Sequence, residues 1–146
     1  MPDFSRVEQI VQDIYDIKIQ GATKIAKSAF QILVDELKRQ NFSSCVEIGE
    51  FMFPAMKKLE NARPTEPMMF NGMAYITDKL RAYTGSDVKE LLTIAQEATQ
   101  TYLDMITSTA QQAIANGVGI LKYGDSVLTH CHSASSTKTI IANKAG

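Results

Sequence analysis

The sequence predicts a mainly α-helical N-terminal domain, followed by the first strand and helix of an incomplete α/β domain. Two observations predict this order. Apolar residues recur at three- and four-residue spacing through the first two thirds of the 146-residue chain, as in amphipathic helices. After Asn116-Gly117 this period ends, and short apolar stretches punctuated by glycine follow. We therefore expect a helical domain over 1–117 and the start of an α/β domain over 118–146.

Two helices are expected before residue 41. Apolar residues from Phe4 to Ile17 recur on one helical face, with acidic and basic residues between them. Gly21 then interrupts the pattern, because glycine is a poor helix former. A second amphipathic set begins at Ile25 and continues to about Gln40. This spacing predicts two consecutive helices joined by a turn at Gly21.

A third and a fourth helix are expected next. Ser44 and Glu47 fit a capping box at the start of the third helix, and Pro54 is expected to kink or divide that helix. The segment ARPTEP, residues 62–67, contains two prolines and predicts a break. The fourth helix follows, with four apolar residues on one side: Met69, Met73, Ile76 and Leu80.

The longest helix is expected from Asp87 to about Ala115. Asn116-Gly117 is a favourable stop, because both residues tolerate the left-handed conformation found after a helix. The apolar stripe that predicts this helix consists of Val88, Leu91, Ala95, Ala98, Tyr102, Ile106 and Ile114.

The last thirty residues have a different pattern. Gly124-Asp125 predicts a turn. The segment SVLTHC, residues 126–131, predicts a buried strand of the parallel kind. The segment SSTKTIIANKAG, residues 135–146, predicts the following helix, with Ile140 and Ile141 on its packing face. One strand cannot form a sheet, because its amides and carbonyls need neighbours. The chain is therefore expected to be the front part of a longer protein, or to borrow strands from a partner.

Composition excludes several classes of function. The net charge of −1 argues against general binding to nucleic acid or to an anionic membrane. The first residues do not resemble a signal peptide, and no apolar run is long enough for a membrane helix. Cys45 and Cys131 do not make a disulfide framework. A cytoplasmic protein with free thiols is expected.

The cluster His130-Cys131-His132 allows three interpretations. A metal site is not expected, because a strand points Cys131 away from both histidines and the spacing is not that of a zinc site. Cys131 could be a small apolar filler at the end of a strand, which composition alone favours. It could also be a reactive thiol, since ligands bind beyond the carboxyl ends of strands and the next helix would lower its pKa.

Three separated segments carry a family resemblance. They are IQGATKIAKSAF (19–30), ARPTEPMMFNGM (62–73) and GDSVLTHCHS (124–133), in this order along the chain. Together they resemble the archaeal ribose 1,5-bisphosphate isomerases. That family also includes the methylthioribose 1-phosphate isomerases and the alpha, beta and delta subunits of translation initiation factor 2B. The resemblance covers essentially the whole chain, but only about the first half of a family member.

The resemblance implies a fold and a reaction. The family has an N-terminal helical domain and a Rossmann-like α/β domain, and its isomerases convert a phosphorylated aldose to the ketose. Archaeal members make ribulose 1,5-bisphosphate in the breakdown of nucleotides such as AMP. By position, Cys131 would be the catalytic residue, acting in proton transfer between C1 and C2. The implied substrate-binding residues are Gln20, Gly21, Ala22, Thr23, Arg63, Ser133, Ala134 and Ser135.

The resemblance also implies partners and limits. It implies a homo-oligomer, a hexamer in some members, with a nucleotide activator and no cofactor. The family usually has arginine where this chain has Gln20, and often glycine where it has Thr23. Its second catalytic residue, an aspartate, would lie beyond Gly146, so the chain is expected to be inactive alone. The alternative is a non-catalytic regulatory protein of the initiation factor 2B type, which Gln20 favours and Cys131 disfavours.

Overall fold

A computed structural model describes residues 2–128 and 134–144, without the side chains of 134–136 and 143–144. The described residues are mainly helical and contain no strand. None of their helices is long and apolar enough to cross a membrane. The helices are α1 (Ser5–Tyr15), α2 (Ala22–Arg39), α3 (Cys45–Ala62), α4 (Pro67–Ala82), α5 (Val88–Ile120) and α6 (Ala134–Lys144).

The chain divides into two compact units, Met1–Leu103 and Asp104–Gly146. In the first unit, α1 packs against α2 and α3, and α4 packs against the same two helices. Short connections between consecutive helices produce antiparallel neighbours. The largest fully buried apolar side chains of the core come from α1 to α4: Val7, Phe30, Leu33, Val34, Leu37, Ile48, Phe51, Met52, Leu59, Met69 and Ile76.

The predicted turn at Gly21 is confirmed, although α1 is shorter than its apolar pattern. The helix ends at Tyr15, and Ile17 has a φ of 60° and is exposed. Including Ile17 in the helical pattern was therefore wrong. The amides of Lys18 and Ile19 both donate to the carbonyl oxygen of Asp13, at 2.9 and 3.1 Å. These hydrogen bonds end α1 two residues before Ile17, so Ile17 does not lie on the apolar face of the helix.

The predicted cap of α3 is present with one difference. The Ser44 hydroxyl accepts a hydrogen bond from the amide of Glu47 at 3.2 Å. The Glu47 carboxylate in turn accepts from the amide of Ser43 at 2.7 Å, one residue earlier than the capping box predicts. These contacts lower the pKa of Glu47, first through the Ser43 hydrogen bonds. Pro54 lies inside one continuous helix, so the expectation that it might divide α3 was wrong.

The predicted stop at Asn116-Gly117 was also wrong, because α5 continues to Ile120. A Cβ at Gly117 would lie 2.6 Å from Cγ2 of Thr139 in α6. The missing side chain at 117 therefore lets α6 approach α5 within the second unit. A close helix contact explains this glycine better than chain termination, since a helix tolerates one glycine at a cost of about 1 kcal/mol.

The predicted strand is not seen in the described residues. Residues 126–128 have no regular structure, and 129–133 lie outside the described part of the chain. Val127 and Leu128 are exposed, whereas the sequence predicted burial. A parallel strand is buried only between neighbouring strands and helices. The predicted last helix is confirmed as α6, with Ile140 half-buried and Ile141 exposed. The predicted domain boundary at 117 stays a prediction.

Gly72 permits the tightest junction of the first unit. Its backbone faces the rings of Phe30 from α2 and Tyr102 from α5, and a Cβ there would lie 2.5 Å from Cε1 of Tyr102. The two rings meet edge to face with centroids 5.0 Å apart, a favourable aromatic geometry. The Tyr102 hydroxyl donates to the carbonyl oxygen of Met68 at 3.0 Å. Burial raises the pKa of Tyr102.

A buried carboxylate fastens the N-terminal segment to α2. Glu36 is fully buried and accepts hydrogen bonds from Arg6 at 2.9 Å, Gln40 at 2.8 Å and Arg39 at 2.6 Å. Burial alone would raise the pKa of Glu36, but the hydrogen bonds and charges of these partners lower it. Arg39 also pairs with Asp3 at 2.6 Å. Two arginines satisfy this carboxylate, which would otherwise be costly to bury.

We predict that Gly72→Ala lowers the free energy of unfolding by about 1–3 kcal/mol, because the added methyl group overpacks the junction. Gly49→Ala is the matched control. Its Cβ would lie 3.6 Å from Cε2 of Phe53, an ordinary contact, so the better helix propensity of alanine should stabilise by about 0.5–1 kcal/mol. Urea unfolding of both variants checks the prediction, and shifts of the same sign would contradict it.

We predict that Arg39→Ala lowers the free energy of unfolding at pH 7 by about 1–3 kcal/mol. The folded pKa of Glu36 is below its ordinary value of 4.5. Its contribution is therefore present above pH 4.5 and is lost as pH falls through the lower folded pKa. The variant should lose less stability than the parent between pH 5 and pH 3. Urea unfolding at these pH values measures the effect. Lys38→Ala, an exposed neighbour on α2, should match the parent.

Candidate functional site

The start of α2 is open towards an anion. Gly21 is its N-cap residue, with a φ of 84°, and no side chain caps the helix. Residues 21–24 are exposed, and the first turn contains no acidic residue. The first amide bonded back to this turn is that of Ile25, which donates to the Gly21 carbonyl oxygen at 2.9 Å. The amides of Ala22, Thr23 and Lys24 are therefore helix-start donors, which suit a phosphate.

The positive φ explains why glycine is needed at this position. A φ of 84° lies in a region that side chains make unfavourable. A Cβ at Gly21 would have nothing within 4 Å, so backbone conformation rather than crowding requires glycine. The same openness leaves room for a ligand to approach the backbone. Phosphate binding by Gly21 and Ala22, which the family resemblance implies, stays a prediction.

Two side chains of the same turn are already engaged. Lys18 pairs with Asp16 at 3.0 Å and with Asp13 at 3.2 Å, and the hydrogen bond to Asp16 leads the causes that raise the pKa of Lys18. Gln20 donates from Nε2 to the carbonyl oxygen of Ile17 at 2.7 Å. Gln20, a predicted substrate ligand, therefore bonds back to its own turn in this structure.

Arg63 lies at the end of α3, where the sequence placed a break. It is the C-cap residue and is exposed. Its amide donates to the Glu60 carbonyl oxygen at 3.2 Å, and its own carbonyl oxygen accepts from the Glu66 amide at 3.1 Å. No ion pair involves its guanidinium within the described residues. A planar guanidinium with both edges available can bind a phosphate through two parallel hydrogen bonds.

Glu66 is a helix-capping residue at this end that the sequence interpretation missed. Its carboxylate accepts from the Met68 amide at 3.2 Å and caps α4. The side chain is nearly buried. An acidic residue directly before a proline at the first helical position could have indicated this cap. An anion would be repelled here, so α4 differs from α2 although both helices begin at this end of the unit.

The two predicted segments lie at the same end of the first unit. Antiparallel packing brings the end of α1 and the start of α2 to the side where α3 ends and α4 begins. One hydrogen bond joins the two turns, from the Tyr15 hydroxyl to the Asn61 carbonyl oxygen at 3.2 Å. The structure thus places Gly21 and Arg63 on neighbouring connections, forty-odd residues apart in sequence.

The other predicted site residues belong to the second unit. Ala134 and Ser135 are the first two residues of α6, and their side chains lie outside the described set. Cys131 and Ser133 lie outside the described residues altogether, as do His130 and His132. In the described part of the chain, no three His, Cys, Asp or Glu side chains are grouped to hold a metal.

The first unit is therefore a helical bundle in which the start of α2 is open and the neighbouring connection carries an exposed arginine, features suited to an anionic ligand. Comparison with known families identifies the family of the chain. The chain belongs to the initiation factor 2 subunit family, IF-2B, whose model matches residues 18–145.

Individual relatives carry enzyme names. The chain is 27% identical over 129 residues to a ribose 1,5-bisphosphate isomerase from Thermococcus kodakarensis, covering 87% of this chain and 40% of the relative. The corresponding enzyme from Archaeoglobus fulgidus is 27% identical over 92% of this chain and 41% of its own length. A methylthioribose-1-phosphate isomerase from Nematostella vectensis is 27% identical over 84% of this chain and 36% of its own length. The chain spans about two fifths of its archaeal relatives.

We predict that inorganic phosphate shifts the NMR signals of the Ala22, Thr23 and Lys24 amides, because they are open helix-start donors. Arg63→Ala should weaken this binding about tenfold, through loss of charge-assisted hydrogen bonds. Arg63→Lys should fall between, since lysine keeps the charge but loses the planar fork.

Lys38→Ala is the control for this titration, because it removes one positive charge at the other end of α2. Its phosphate affinity should equal that of the parent. Equal affinities for the parent and Arg63→Ala would show that Arg63 does not bind the anion.

Proposed function

We propose that this chain is the N-terminal part of a ribose 1,5-bisphosphate isomerase, which converts the aldose to ribulose 1,5-bisphosphate in AMP breakdown. The observation that carries the proposal is the open start of α2 at Gly21, next to the connection that carries exposed Arg63. A bisphosphate substrate needs such anion sites, and the named isomerase relatives support the choice of sugar.

The binding roles follow from the chemistry of this end. The amides of Gly21, Ala22, Thr23 and Lys24 hold one phosphate, and the Thr23 hydroxyl is a further donor. Arg63 supplies the charge that neutralises it. Gln20 joins them only if its side chain leaves the Ile17 carbonyl oxygen, which costs one hydrogen bond of about 1 kcal/mol.

The catalytic role falls to Cys131. Isomerisation of an aldose to a ketose transfers hydrogen between C2 and C1, and a thiol can move a proton between the two carbons as a general acid or base. Helix α6 begins three residues after Cys131. Ser133, Ala134 and Ser135 line the substrate pocket at that helix start.

Residues 118–146 are proposed to begin a Rossmann-like α/β domain with its strand at 126–131. Exposed Val127 and Leu128 support this, since they need neighbouring elements to cover them. The complete protein is proposed to be a cytoplasmic homo-oligomer that responds to a nucleotide activator.

A second candidate function is a regulatory, non-catalytic protein of the initiation factor 2B type. The observation that favours it is Gln20, which replaces a charged ligand and bonds to its own backbone turn. Such a protein would bind a sugar phosphate or nucleotide at the same helix start without turnover.

An assay distinguishes these two functions. The chain is mixed with the C-terminal part of an archaeal relative, and ribulose 1,5-bisphosphate formation from ribose 1,5-bisphosphate is measured. We expect product with the parent and with Cys45→Ser, and at least a thousandfold less with Cys131→Ser, since one acid–base group and its positioning are lost.

Cys45→Ser is the matched control, because Cys45 begins α3 in the first unit. Circular dichroism confirms that each variant keeps its helices. Full turnover by Cys131→Ser would disprove the catalytic assignment. An associated pair that binds the substrate without any turnover would support the regulatory function instead.

A further inference from the structure

The first two turns of α2 carry positive charge and no negative charge. Their two ionisable residues are Lys24 and Lys27, and the first acidic residue of the helix is Asp35. Lys24 is exposed and Lys27 is half-buried. Neither lysine forms an ion pair or a side-chain hydrogen bond in the part of the chain that the structure describes. The two positive charges at this helix start therefore lack a counter-charge among those residues.

This placement of charge is unfavourable for the helix itself. The start of a helix is the positive end of its dipole, where a cation lowers the stability of the helix. Lys24 and Lys27 are also three residues apart on one helical face, where like charges repel each other. The other end of α2 has the usual arrangement, with Lys38 and Arg39 in the last turn. An anion bound at the start of α2 would remove the repulsion, and stability given up in this way is typical of a binding site.

The carboxylates of the neighbouring connections are engaged elsewhere and do not supply the counter-charge. Asp13 and Asp16 at the end of α1 pair with Lys18, at 3.2 and 3.0 Å. Glu60 pairs with Lys57, and Glu66 accepts from the Met68 amide. An anion from solution is the remaining way to balance the two lysines of α2.

Both lysines can reach the open amides of this helix start. Side chains of an α-helix lean towards its N-terminus, and residues three and four positions apart are neighbours. Lys27 therefore leans back over the turn that contains Thr23 and Lys24. A lysine has a flexible stem and three donors on its ammonium group, so it adapts to a phosphate that the backbone amides hold.

We propose that Lys24 and Lys27 are substrate-binding residues, whose ammonium groups bind phosphate at the start of α2. This inference rests on the proposed function and deepens it. The two lysines supply charge where Gln20 supplies none, since Gln20 is neutral and bonds to the Ile17 carbonyl oxygen. With Arg63, the proposed site then has three cationic side chains, whereas one phosphate monoester carries about −1.5 to −2 at neutral pH. This balance suits a ligand with two phosphates.

Two measurements on the full chain test the inference. Inorganic phosphate is titrated at low salt against the NMR signals of the Ala22 and Thr23 amides, and urea unfolding is followed without phosphate. Lys24→Gln and Lys27→Gln keep a similar helix propensity. Each should weaken phosphate binding about threefold, and the double variant K24Q/K27Q about tenfold. Each should also raise the urea midpoint, because an unfavourable charge leaves the helix start. Weaker binding by a more stable protein is a result that a merely structural role would not give.

Lys38→Gln is the matched control, because it makes the same change in the last turn of the same helix. Its phosphate affinity should equal that of the parent, and its urea midpoint should not rise, since a cation is favourable there.

Three results would overturn the inference. If K24Q/K27Q binds phosphate as tightly as the parent, the lysines are solvated surface charges, while phosphate binding by the parent and turnover that depends on Cys131 still support the proposed function. If binding weakens and the urea midpoint falls, the lysines act on the fold and not on the ligand. If phosphate does not shift the parent amides, the anion site fails together with this inference. Loss of turnover with lysine-dependent phosphate binding intact would count against the isomerase alone.

Discussion

The packing of the first unit depends on a side chain that is missing at Gly72. Because α4 has no Cβ there, Phe30 and Tyr102 can meet against its backbone, and α5 is brought close enough for Tyr102 to bond the carbonyl oxygen of Met68. Met68 is the residue whose amide the Glu66 carboxylate caps. The junction therefore fixes the first turn of α4, and through it the connection that begins at Arg63. Core packing and the geometry of the candidate anion site are linked in this way.

Two helices begin at the same end of this unit, yet only one is open to an anion. Glu66 fills the start of α4 with its own carboxylate, whereas Gly21 provides no side chain at the start of α2. In the proposed site, a negative ligand would meet open amides at the start of α2 and a carboxylate at the start of α4, with exposed Arg63 on the neighbouring connection. This asymmetry is a physical basis for selective binding, because an anion gains from the helix dipole only where no carboxylate has already taken its place.

Periodic apolar spacing predicted the existence of the helices well, and local chemistry predicted several of their ends. Ser44 caps α3 as expected, and the prolines around Arg63 end one helix and begin the next. One error came from a glycine. The pair Asn116-Gly117 has the sequence pattern of a helix stop. In the structure, however, Thr139 of α6 lies where a side chain at position 117 would be. The reason for glycine at position 117 is therefore a contact with a residue twenty-two positions away, and the local sequence pattern does not show such a contact.

The sequence by itself determined the helical content of the chain, the positions of its turns and its membership of a family, because these depend on local propensity, apolar period and short motifs. It also singled out Gly21 and Arg63 as separate candidates. Only the tertiary structure decided that their two turns are neighbours, that Glu66 closes α4, and that Gln20 bonds to Ile17. Those facts depend on how antiparallel helices stack and on which side chains find partners. Contacts between residues distant in sequence are set by packing, and packing is a property of the folded chain.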